Sequence, residues 1–152
     1  MRSRGAAIAL AVYLVVLALL TLWPTHPDAV IQPFTTTLLA DLARSRATSW
    51  ISYPVLNDLA NAVLFVIAGI LAILAFGRRG WWWSIVVGCA VAGLFEVAQA
   101  LFLPGRTPDV SDVVSGAVGT LVGVGIGLAI VMARRSETPN AAARTTSPDD
   151  GA

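Results

Sequence analysis

The chain contains no lysine, and its positive charge rests on ten arginines against nine acidic residues, for a net charge of +1. That balance provides no basic stripe, so nucleic acid is excluded as a partner on a first reading. A lone cysteine, Cys89, cannot close a disulfide within the chain, and a lone histidine, His26, cannot assemble a zinc site. Charged residues make up only 12% of the 152 positions, whereas 57% are hydrophobic and the mean hydropathy is +0.77. A water-soluble domain of this size cannot hide so much apolar surface in one core. Lipid is therefore the main solvent, and the length fits one compact unit.

What is abundant is arranged in runs. A hydrocarbon layer about 30 Å thick needs roughly 20 apolar residues in helical form. Residues 6–23, 59–76, 81–103 and 113–133 are of that order, the third interrupted by Glu96 and Gln99. Lipid offers backbone amides no partner, so these runs must be helices. The fold class is all-α: a polytopic membrane protein with four transmembrane helices and short loops. The domain is expected over residues 1–135, followed by a disordered cytoplasmic tail at 136–152, which carries Pro139 and Pro148 and no apolar periodicity. The first run is read as a retained helix. It is longer than a signal-peptide core and ends at Leu22-Trp23-Pro24 without a small-residue cleavage site. In the loop that follows, Ile31, Phe34, Leu38 and Leu42 recur at helical spacing, which leaves two readings open: an interfacial helix, or a plain connector with apolar anchors.

Arginine placement sets the expected orientation, because arginine-rich loops stay cytoplasmic. Arg2, Arg4, Arg78, Arg79, Arg134 and Arg135 flank helix ends on one side, against Arg44, Arg46 and Arg106 on the other. Both termini of this multi-pass cell-membrane protein are thus expected in the cytoplasm. Trp81, Trp82 and Trp83 would mark the inner interface, and Trp23, Trp50 and Tyr53 the outer one.

On that orientation the unusual polar residues collect at the outer boundary. Asn57, Asp58 and Asn61 open the second span, Glu96 and Gln99 lie in the outer half of the third, and Arg106, Asp109 and Asp112 occupy the loop before the fourth. A carboxylate at the depth of Glu96 needs a partner or a proton, so Glu96 should face the bundle interior, with Gln99 sharing its face at i+3. A buried pair that fixes helix register would explain these two equally well. Asp58 at a helix start reads first as a cap for free amide donors, and Asp109 and Asp112 face the same reading, with Ser111 a competing cap. Arg106, in a turn tightened by Pro104, Gly105 and Pro108, is placed to pair with Glu96 or Asp109 through its forked guanidinium, or to form an exposed loop salt bridge of little worth. The fourth span carries Gly119, Gly123 and Gly127 at four-residue spacing, which permits close helix packing within the bundle or between copies as a homo-oligomer.

The stretch Phe95-Glu96-Val97-Ala98-Gln99, followed by Leu103-Pro104-Gly105-Arg106, Asp109, Asp112, Gly119 and Gly123, resembles the VanZ-like family of bacterial membrane proteins. Asp58, Asn61, Phe65 and Gly69 fall in the same family's order, so the likeness spans about residues 57–127. Two positions depart from the pattern: Ile67 stands where many relatives have a kinking proline, and Gly116 where they often have asparagine. The resemblance implies a small protein of the bacterial inner membrane. The family's name-giving member is associated with low-level resistance to the lipoglycopeptide teicoplanin.

Three functions are compatible with these residues. The first is binding or modulation of a cell-envelope component or glycopeptide antibiotic through Asp58, Asn61, Glu96, Gln99, Arg106, Asp109 and Asp112. The second is an enzyme acting on a lipid-linked envelope substrate through a carboxylate acid and base. No nucleophile with a histidine base and no phosphate loop supports it, although carboxylates could instead hold Mg²⁺ or Ca²⁺. The third is a structural or assembly role for the glycine-lined helix. Partners are expected to be the bilayer, an envelope lipid or glycopeptide, and a second copy; no cofactor and no metal site are expected, and transport ranks lowest.

Overall fold

The computed structural model describes residues 4–22, 28–103 and 109–144. Arg2, Trp23 and Arg106, and the last eight residues, lie outside them. Among the described residues five α-helices follow one another: α1 (Arg4–Thr21), α2 (Asp28–Ala43), α3 (Tyr53–Phe76), α4 (Trp81–Phe102) and α5 (Val110–Arg144), with a 3₁₀ turn, Arg78–Gly80, between α3 and α4. Four of them are long and apolar enough to cross a membrane, over Arg4–Thr21, Tyr53–Phe76, Arg78–Phe102 and Val110–Arg134. The 24 residues of α3 reach about 36 Å at 1.5 Å per residue, more than the hydrocarbon thickness.

The helix ends differ from expectation for identifiable reasons. Pro54 in the first turn has its backbone angle preset for helix and lacks an amide that would go unpaired there, so α3 starts at Tyr53, six residues before the apolar run. Its other end is stopped by Gly77, whose φ of 77° is disfavoured for any residue with a Cβ, and whose amide donates to the Ile73 carbonyl. α3 runs unbroken through Ile67, where a proline would have removed a backbone donor. α5 continues to Arg144, so residues 136–144 of the expected disordered tail are helical. Ala141, Ala142, Ala143 and Arg144 there are strong helix formers, and they offset the lack of an apolar stripe that suggested disorder.

α3 and α5 share the largest helix contact, and they run parallel, because the antiparallel α4 carries the chain back between them. Asn61 meets Ser115, Val66 meets Gly123 and Ile73 meets Gly127, so the register stays nearly constant along both helices. Glycines make this close approach possible. A Cβ on Gly119 would fall 2.2 Å from the Ala62 carbonyl oxygen, and one on Gly127 2.8 Å from the Ile73 Cβ. α4 crosses α5 where Thr120 sits against Gly88. α1 runs antiparallel to α3 and is tied to it by the Tyr13 hydroxyl, which donates to the Leu64 carbonyl at 2.8 Å.

Leu17, Phe65 and Ala92 form the buried centre, one residue from each of α1, α3 and α4, with Phe95 meeting Phe65 edge-on at 6.5 Å. Large apolar side chains such as Ile8, Val63, Leu94, Leu101 and Leu121 point outward, as a lipid solvent allows. α2 has at most marginal contact with the other helices. Its Phe34 is 69% exposed, while Leu38 and Leu42 are half-buried. The helix exists; the Ile31 side chain lies outside the described set.

Candidate functional site

At the bundle end where α3 and α5 begin and α4 finishes, the polar side chains converge on the first turns of α5. Helix α5 starts at Val110, three residues earlier than the apolar run, because Asp109 caps it: the Asp109 Oδ1 accepts the Ser111 amide at 2.9 Å. Asp112 therefore lies inside the first turn rather than in a loop. Acidic groups there also meet the positive end of the helix dipole.

Three residues of α3 reach across to this turn. The Asn57 Nδ2 donates to Asp112 Oδ1 at 3.0 Å. The Asn61 Nδ2 donates to the Asp112 carbonyl at 2.7 Å and to the Ser115 hydroxyl at 3.0 Å. Between them, Asp58 Oδ1 accepts the Ser111 hydroxyl at 2.9 Å. Asp58 is thus not a cap. With α3 beginning at Tyr53 it sits in the second turn, and Ser52, the residue before the helix, makes no side-chain cap. Spacings of three and four place Asn57, Asp58 and Asn61 on neighbouring positions of one helix and Ser111, Asp112 and Ser115 on those of the other, so two parallel helices zip polar side chains along one seam.

From the third side, α4 contributes Glu96. Its Oε1 accepts the backbone amide of Asp109, and the side chain is only partly buried. Glu96 and the α5 cap are thereby joined directly. Gln99, expected to share this face, is used elsewhere: it is 5% exposed and donates from Nε2 to the Thr21 carbonyl of α1 at 3.1 Å. This satisfies one of the carbonyls left open at the end of α1. Residues three apart on a helix differ by about 60° in direction, enough for adjacent helices to claim them separately.

The structure thus brings together Asp58, Asn61, Glu96, Asp109 and Asp112, turns Gln99 toward α1, and leaves Arg106 outside the described residues. It gives contacts within the seam to Asn57 and Ser111, which the sequence placed at this boundary without a binding role, and it adds Ser115. The signal for Ser115 was its position four residues after Ser111, on the same face. Gly116 is buried; a Cβ there would lie 3.0 Å from that of Ala92 and 3.2 Å from the Phe65 ring. Gly119, Gly123 and Gly127 are all buried facing α3, where they allow the two helices of this chain to approach closely.

Chemically, the site is a rim of carboxylates held by hydroxyl, amide and backbone donors at a helix start. Among the described residues, no group of three or more His, Cys, Asp or Glu side chains is arranged to hold a metal ion.

Comparison with curated proteins gives no match, and neither does comparison with solved structures. The sequence model of the VanZ/LLP1 family does match, over residues 10–132, from the middle of α1 through the membrane-length part of α5. The match takes in every helix of the bundle and every residue of the polar seam, and the chain belongs to the VanZ/LLP1 family.

Proposed function

We propose that this membrane protein lies with both termini in the cytoplasm and uses the polar end of its bundle, on the outer side, to bind or modulate a cell-envelope component or a glycopeptide antibiotic. The observation that carries the reading is the convergence of Asp58, Glu96 and Asp109, one carboxylate from each of two helices and one from a helix cap, around the first turn of α5. A bundle needing only register could use neutral groups. Carboxylates retained at a membrane boundary suit a ligand that offers ammonium or amide donors. The orientation rests on Arg4, Arg78, Arg79 and Arg134, which the helix directions place at the end opposite this rim.

The test is expression of the wild type, Glu96→Gln, Asp58→Asn and Arg106→Ala in a strain lacking the gene, with teicoplanin susceptibility and membrane abundance measured together. Loss of a susceptibility change at unchanged abundance supports the reading. Variants that all behave as the wild type reduce the rim to scaffold.

A further inference from the structure

A second feature lies at the opposite end of the bundle. α1 and α4 scarcely touch each other, and the gap between them is lined by the small Ala68 and Ala72 of α3, with Gly69 and Gly88, which are packed against α5, also on its wall. The result is a furrow of about 420 Å³, within the roughly 300–1,000 Å³ typical of ligand sites. Leu10 and Leu14 form one bank, Trp83 and Val87 the other, and Arg79 and Gly80 of the 3₁₀ turn close one end.

The walls call for an apolar occupant. Ser84 and Thr120 are the hydroxyl-bearing residues lining the furrow; Ser84 donates to the Gly80 carbonyl at 3.0 Å and Thr120 to the Gly116 carbonyl at 2.9 Å. Each is satisfied within its own segment, so neither asks for a polar ligand. The furrow is open on one side, and at membrane depth what lies outside is hydrocarbon rather than water. Its end asks for the opposite chemistry. Arg79 is exposed, lines the furrow, and forms no ion pair among the described residues; neighbouring Arg78 is likewise unpaired among them. Among the described side chains, the carboxylates Asp58, Glu96, Asp109 and Asp112 lie at the other end of the bundle.

An apolar slot ending in two guanidinium groups that form no ion pair among the described residues, beside a tryptophan cluster, matches one class of molecule. We propose that the furrow holds an acyl chain of an anionic phospholipid whose headgroup phosphate is bound by Arg79, with Arg78 adding favourable charge. Ordinary surrounding lipid would also enter the slot, but without headgroup preference, and that difference is the test.

A chain keeping Trp83 as its only tryptophan, with Trp23, Trp50, Trp81 and Trp82 replaced by phenylalanine, is reconstituted in phosphatidylcholine vesicles. A few mole per cent of the lipid is brominated on its acyl chains, as phosphatidylglycerol or as phosphatidylcholine. Trp83 fluorescence should be quenched several-fold more by the brominated phosphatidylglycerol. Arg79→Ala should abolish the difference, and Ala72→Phe, which fills the slot, should lower quenching by both lipids. Equal quenching by the two lipids, or a preference that survives Arg79→Ala, overturns the proposal. The unmodified full chain gives an independent reading: phosphatidylglycerol retained through detergent purification should fall at least about fivefold in Arg79→Ala, as expected for losing a charge-assisted phosphate contact. Equal retention by the variant and the wild type would likewise overturn it.

Discussion

Gly123 of α5 lies against the backbone of Val66 on α3 so closely that a methyl group at Gly123 would fall 2.2 Å from the Val66 carbonyl oxygen. No side-chain rotation relieves a clash with backbone, so the helices must separate. Gly123→Ala and Gly119→Ala are each expected to lower stability by about 1–3 kcal/mol, and the leucine variants by more. Gly125, where a methyl group would meet nothing within 4 Å, is the control; Gly125→Ala should be neutral or slightly stabilising through helix propensity. Thermal unfolding in detergent distinguishes them, and equal behaviour of all three positions would contradict this packing.

Asn61 bridges α3 to two groups on α5, the Asp112 carbonyl and the Ser115 hydroxyl. Asn61→Ala should cost about 1 kcal/mol, in line with hydrogen bonds between membrane helices. Asn61→Asp should cost more, because it sets an acceptor against two oxygens and adds a negative charge beside Asp112. The order of unfolding temperatures, wild type above alanine above aspartate, is the expected result.

Glu96 accepts the Asp109 amide through one side-chain oxygen, and a glutamine also offers an oxygen there. Glu96→Gln should therefore leave the start of α5 intact, whereas Glu96→Leu should free the Asp109 amide and raise its hydrogen exchange roughly tenfold. Similar exchange in the two variants would mean that Glu96 does not hold this junction. The same pair sharpens the functional test, since only glutamine removes the charge without removing the contact.

The expected orientation is checked with cysteines placed in a Cys89→Ser chain. Ser45 and Ala133 are exposed and belong to opposite ends of the bundle. With the arginine-flanked ends in the cytoplasm, an impermeant maleimide on intact cells should label Ser45→Cys and reach Ala133→Cys only after permeabilisation. The reverse pattern would put the polar seam on the cytoplasmic side.

Much of this architecture was legible in advance because its cause is local. An uncharged run such as 59–76 admits one solution in lipid, a helix, whatever its neighbours do. Boundaries were less legible. Apolar content located where α3 is buried in hydrocarbon, but its true start is set by Pro54, and that of α5 by the Asp109 cap, both outside the apolar run. Among the polar residues, membership of one bundle end could be read from the order of spans, but partners could not. Asp58 looked like a cap and instead receives Ser111, while Gln99 looked like a companion of Glu96 and instead closes the end of α1.

By itself, then, the sequence determined four membrane-length helices and the gathering of polar residues at one end of them, since hydrophobic length and backbone hydrogen bonding act along the chain. Only the tertiary structure decided that α3 and α5 lie parallel with Gly119, Gly123 and Gly127 spent between them, and that a furrow opens where α1 and α4 part. Those outcomes depend on how each helix is rotated and slid against its neighbours. Packing fixes both quantities jointly for the whole bundle, and no single segment encodes them.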